Sequence, residues 1–150
     1  MPILPLDIRH HATVIAADEV MPLLVDACPS FRDTWAAIER RNVDDRGHIH
    51  YEDVGCFARH VVELLKRNEV AELPVVFAVV ERLHVEGDDY VKELATIGFL
   101  EDVQNIAGWD DSMNPCDFEV FLGPQSARWW RGLNAFWSGD VSQPVRPIDG

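Results

Sequence analysis

Hydrophobic residues recur at helical spacing along most of the chain, and no stretch alternates like a strand for long. Val20, Leu23, Leu24 and Ala27 form the first apolar stripe. Asp18 is a good N-cap for it, Glu19 falls in its first turn, and Pro29 stops it. Pro22 falls at about the fourth helical position, where a missing amide costs little. Ser30 is a cap for a second helix, with Asp33 three residues on as a weak capping box. Phe31, Trp35 and Ile38 mark its apolar face, and it ends near Arg41. A polar connection over 42–52 follows, with weak alternation from His48 to Tyr51. Asp53 is a cap for a third helix running to Lys66, with Phe57, Val61, Leu64 and Leu65 on one side and Asn68 closing it. A fourth helix spans 72–85, with Pro74 in its first turn and a stripe of Leu73, Phe77, Val80, Leu83 and His84.

The stretch 87–108 is the one the others should pack around. Gly87 separates it from the preceding helix, Asp88 or Asp89 caps it, and Gly108 ends it. Its middle, Ile97-Gly98-Phe99-Leu100, is apolar on all sides, which implies cover on most sides. After a turn-rich loop and a short apolar piece over 116–122, Gly123-Pro124 opens a last helix that ends at Gly139. The expectation is an all-α fold of about six helices in three consecutive hairpins, as a compact bundle or a short solenoid-like stack. Residues 1–17 read as an N-terminal arm, 18–139 as a single helical domain, and 140–150, with two prolines, as a flexible C-terminal tail.

Composition narrows the class. With 150 residues, 47% hydrophobic and 26% charged, the chain is one globular domain, large enough to need no disulfides or metal as staples. Cys28, Cys56 and Cys116 are widely spaced and odd in number, which points to a reducing compartment, and no signal peptide or membrane span is apparent. A cytoplasmic location is expected. The net charge is −13, and it is uneven. Residues 81–119 hold 11 acids and two bases, a balance of −9 that leaves −4 for the rest. Direct nucleic-acid binding is therefore not expected, a basic protein partner is favoured, and the lack of a long apolar run argues against a membrane partner. Glu86, Asp88, Asp89, Glu93, Asp110 and Asp111 are the candidate partner-binding residues.

No set of residues assembles a reaction. The loop 42–53 imitates a calcium loop, with Gly47 sixth and Ile49 eighth, but Arg46 sits fifth and Asp53 replaces the closing glutamate. Glu81 and His84 form one Glu-x-x-His step, whereas a di-iron bundle needs two, so His84 reads as a hydrogen-bonded interior histidine. The pairs His10-His11 and His48-x-His50 lack the further ligands of a metal site. The cysteines suit small core positions better than nucleophiles. No cofactor and no metal are expected. Glu101 and Asp102 diverge by about 100° on a helix, so they read as structural polar anchors, one meeting Arg128 or Arg131 and the other facing solvent. Trp129, Trp130, Phe136 and Trp137 read as core for at least two tryptophans, with an interaction anchor as the alternative.

Three segments together are distinctive: 86–91 (Glu86-Gly87-Asp88-Asp89-Tyr90-Val91), 98–105 (Gly98-Phe99-Leu100-Glu101-Asp102-Val103-Gln104-Asn105) and 122–130 (Leu122-Gly123-Pro124-Gln125-Ser126-Ala127-Arg128-Trp129-Trp130). With Pro29-Ser30-Phe31, Trp35 and 53–65, the chain resembles a family of small uncharacterised bacterial all-helical proteins regarded as immunity proteins in polymorphic toxin systems. The resemblance spans about residues 18–138 and carries over no site residues. It implies a non-enzymatic domain that neutralises a cognate bacterial toxin, a basic nuclease for example, through an acidic face. The alternatives are a helical-repeat-like scaffold or adaptor with an unrelated partner, and a small helical enzyme around Glu101, Asp102 and His84.

Overall fold

The computed structural model describes residues 14–41, 50–139 and 142–150. The calcium-like loop, apart from its last four positions, and His10, His11 and His48 lie outside them. Among the described residues, six helical segments appear in the expected order: α1 (Ala17–Ala27), α2 (Arg32–Arg41), α3 (His50–Lys66), α4 (Leu73–Glu86), a central helix over 89–108, and a last helix (Pro124–Ser138). The central helix has three parts, α5 (Asp89–Glu93), a π-helical segment (Leu94–Leu100) and α6 (Glu101–Gly108), so the last helix is α7. A 3-10 helix, Pro115–Phe121, precedes α7. The fold is all-α and compact. Its closest packing joins elements distant in sequence: α1 with α4, α3 with the central helix, and α4 with α7.

Several boundaries follow the expected signals. Asp88 caps the central helix, its carboxylate accepting from the Val91 amide at 2.8 Å. Asn68, with φ 58°, ends α3, and the amides of Asn68 and Glu69 donate to the carbonyls of Leu65 and Leu64, a Schellman closure. Other capping expectations fail. Asp18 lies inside the first turn of α1, where Glu19 instead accepts from the Ala16 amide at 2.9 Å. Since α1 opens at Ala17, Pro22 is its sixth residue and lies beyond the first turn. Ser30 belongs to a 3-10 turn, and its side chain is engaged elsewhere. Asp53 is buried within α3, which begins three residues earlier.

The apolar middle expected at 97–100 does go to the centre, although Ile97 is only partly buried. Leu94, Ala95, Thr96, Gly98, Phe99 and Leu100 are all buried, and the Glu101 amide donates to the Thr96 carbonyl, five residues back. One wide π turn thus sits in the most enclosed part of the helix. Aromatic edges knit the neighbours to it: Phe57 and Phe77 meet Phe99 at 6.0 and 5.6 Å, and Phe31 meets Phe57 at 5.1 Å. Glycines let α3 approach closely, since Gly98 faces the Tyr51 ring and Gly55 faces the Asp102 carboxylate.

Both ends of the described chain are tied down. Ile15 bridges the start of the central helix, donating to the Glu86 carbonyl at 2.9 Å and accepting from the Asp88 amide at 3.0 Å. The tail expected to be loose instead runs along α7 over residues 142–150. Ile148 pairs through its backbone with Arg128 and Arg131, and Asp149 forms an ion pair with Arg128. Of the tryptophans of α7, Trp130 is buried and donates to Glu119, Trp129 packs partly into the core, and Trp137 is exposed. Cys28 is buried as expected, but Cys56 and Cys116 are exposed, because each lies on the outward side of its helical segment.

Candidate partner-binding site

The six candidate acids divide between the two ends of the central helix. At about 1.5 Å rise per residue, those ends lie roughly 30 Å apart. Four of the six have intramolecular partners. Glu86 holds Arg82 through two bonds, Asp88 caps its helix, and Glu93 accepts from the Tyr51 hydroxyl at 2.9 Å. Asp110 pairs with Lys66 at 2.7 Å and accepts from the Ser112 hydroxyl and amide, bonds that hold its carboxyl far below the usual range. Asp89 and Asp111 are exposed.

An aromatic residue accompanies each acidic end. Tyr90 is exposed beside Asp88 and Asp89, in edge contact with His50 and Tyr51. Trp109 is 89% exposed immediately before Asp110 and Asp111. Asp110 and Asp111 are candidates from sequence, but Trp109 is not among them. The signal that was available is an aromatic directly beside an acid pair, Asp88-Asp89-Tyr90 at one end and Trp109-Asp110-Asp111 at the other.

The proposed anchors behave differently from one another. Arg128 is an anchor, but its partners are Asp149 at 2.6 Å and Gln125 at 2.9 Å. Arg131 donates to the Ile148 carbonyl. Neither arginine reaches Glu101 or Asp102, because both carboxylates lie on the α3 side of the central helix. They are half-buried, and neither faces fully into solvent. Burial raises the pKa of both; Glu101 is pushed further by Asp102, while Arg59 partly offsets the effect at Asp102. Asp102 lines a cleft of about 380 Å³ with Glu52, Gly55, Cys56 and Arg59.

His84 looks the other way. Its Nδ1 lies 2.9 Å from the Ser126 hydroxyl and its Nε2 2.9 Å from the Thr96 hydroxyl, so it joins α4, the π segment and α7. Burial lowers its pKa to about 4, against a smaller opposing pull from Glu81. Glu81 itself accepts from the amides of Gln125 and Ser126, capping α7 from α4. The Glu-x-x-His step is thus spent on packing, and Glu101, Asp102 and His84 are not brought together. Among the described residues, no group of three His, Cys, Asp or Glu side chains is placed to hold a metal ion.

Residues 21–138 match the profile of a domain of unknown function, DUF7674. The chain belongs to the DUF7674 family. No curated protein and no solved structure matched it. The DUF7674 match includes the central helix, both acidic–aromatic ends and the His84 contacts, and it leaves out residues 142–150.

The DUF7674 region holds one further polar cluster, unforeseen from sequence. Ser30, His60 and Glu72 meet beside a cleft of about 590 Å³ that Asn68 and Val70 also line. Ser30 Oγ lies 2.8 Å from His60 Nε2 and 2.6 Å from Glu72 Oε1, and Glu72 also accepts from the Ser30 amide and the Cys28 thiol. Burial raises the Glu72 pKa, but these hydrogen bonds outweigh it and hold it below the usual range. An ionised carboxylate only accepts, so the hydroxyl proton of Ser30 goes to Glu72, and His60 Nε2 must donate to Ser30. That order of donation does not activate a serine, which needs the histidine as acceptor. Burial also pushes the Cys28 thiol up to about 12, unsuited to a nucleophile. The cluster clamps the α1–α2 turn to α3 and to the start of α4.

Proposed function

We propose that the chain is a non-enzymatic protein-binding domain, and in its sharpest form an immunity protein that covers the active site of a cognate bacterial toxin, a basic one such as a nuclease. One observation carries the reading: Trp109, 89% exposed, stands at the end of the most buried helix, two residues before the exposed Asp111. A tryptophan in that position costs apolar exposure and contributes nothing to the core, whereas it suits the centre of an interface. The excess of acid over 81–119 supplies steering toward a basic surface. The helix beneath gives the tryptophan a rigid base, since α3 packs along its π segment and α6.

The test is affinity capture from the native host, followed by identification of the bound chain and measurement of its binding to Trp109→Ala and Asp111→Lys variants. A basic toxin domain that loses affinity for both variants supports the reading. Partners that bind the two variants as well as the original protein overturn it.

A further inference from the structure

The helix α7 is unlike the rest of this acidic chain. It carries Arg128 and Arg131 and no acid, within a protein of net charge −13. The segment 142–150 lies on it. The Ile148 amide donates to the Arg128 carbonyl at 2.9 Å, and the Ile148 carbonyl accepts from Arg131 Nε at 2.7 Å. Both backbone groups of one non-helical residue are therefore read by the helix. The next side chain, Asp149, pairs with Arg128. Gly132 opens the floor between them, since the Arg146 carbonyl occupies the place where a Cβ would stand.

The fit is incomplete. Ile148 and Asp149 are both exposed, and a cleft of about 360 Å³ remains between α7 and the segment, lined in part by Ala135, Phe136 and Pro144. Val145 packs partly against the core, but beyond it the hold on 146–150 is one exposed ion pair and a few surface hydrogen bonds, each of which contributes little. A segment with a larger apolar side chain would fill space that this one leaves.

We propose that α7 carries a groove for a non-helical peptide in which an aliphatic residue precedes a carboxylate, and that residues 146–150 are its resident, displaceable occupant. The ligand is a partner's peptide segment of that chemistry. The groove takes an acidic ligand, so it is separate from the acidic surface around Trp109 and does not depend on the function proposed for it. The resident lowers the apparent affinity for an incoming peptide by the fraction of time the groove is open.

The experiment uses the full chain and a full-chain Ile148→Ser/Asp149→Ser variant, with a fluorescent synthetic peptide of residues 142–150 as probe. The variant is expected to bind the peptide at least about tenfold more tightly than the original chain does. Adding Arg128→Glu to that variant should abolish binding of the acidic peptide and confer binding of one carrying Asp149→Lys. Equal affinity of the two chains overturns the proposal. So does an unbound peptide when the variant keeps its circular dichroism spectrum, or binding indifferent to the peptide's charge. Dimerisation of the variant that the peptide does not inhibit also overturns it, by making a second copy the occupant.

Discussion

Glu81 on α4 caps the N-terminus of α7: its carboxylate accepts from the Ser126 amide at 2.9 Å, across 45 positions of sequence. The same carboxylate takes the Gln125 amide at 3.0 Å. Two of the free amides of α7 thus depend on a side chain from another helix, and the negative charge faces the positive end of the helix dipole. Glu81→Ala should cost about 1–2 kcal/mol in urea unfolding, the range of a lost cap. Gly123→Ala should cost a similar amount, because its Cβ would stand 2.6 Å from the Glu81 carboxyl carbon.

His84 makes stability depend on pH. Its pKa falls from 6.5 to about 4 in the folded protein, chiefly by burial. The unfolded chain therefore takes up this proton first as pH falls. The contribution of His84 is whole above the unfolded value and is lost progressively as pH drops toward the folded one, reaching at most about 3 kcal/mol. Urea midpoints measured across that window should fall for the original protein and fall less for His84→Gln, which has nothing to protonate.

Asp102 works in the opposite direction. Its pKa is raised, first by burial, so the fold disfavours its charged form. Asp102→Asn should stabilise the protein at neutral pH and lose that advantage in acid, where the carboxyl is already protonated. Thermal midpoints at neutral and acidic pH decide it.

Gly87 has backbone, not only side chain, against it. A Cβ there would meet the Leu83 carbonyl and Val91 Cγ1, each at 2.5 Å. Gly87→Ala should cost about 1–3 kcal/mol, as overpacking does. It should also speed hydrogen exchange at the amides of Ile15 and Asp88, whose bonds flank the residue.

Trp109 separates binding from stability. Trp109→Ala should leave unfolding within about 0.5 kcal/mol of the original, as an exposed site does. The same change should weaken a partner that uses it by about 2 kcal/mol or more, read by titration calorimetry.

The helices were legible because helix formation is read from local spacing. Phe57, Val61 and Leu64 declare α3 whatever packs against it, and Asn68 marks its end. Polar roles were less legible. Ser30 and Asp53 have the chemistry of caps, yet Ser30 is claimed by Glu72, 42 positions away, and Asp53 is buried inside a helix that starts earlier. Arg128 was recognised as an anchor, but its partner Asp149 lies in a segment whose prolines suggested a free end. Trp109 interrupts no periodic pattern; its one signal in sequence is the acid pair beside it, and its exposure separates it from the core tryptophan Trp130.

By itself the sequence determined the all-helical class, the order of the helices, the burial of Gly98, Phe99 and Leu100 in mid-helix and the acidic excess over 81–119. Each depends on the identity and spacing of neighbours along the chain. Only the tertiary structure decided that Glu81 serves α7, that His84 lies between Ser126 and Thr96, and that the two acidic ends stand a helix length apart, each with its own aromatic residue. A helix specifies which residues share a face, but what that face meets depends on the helices packed against it. Polar side chains then take the nearest donor or acceptor that packing delivers, however distant in sequence.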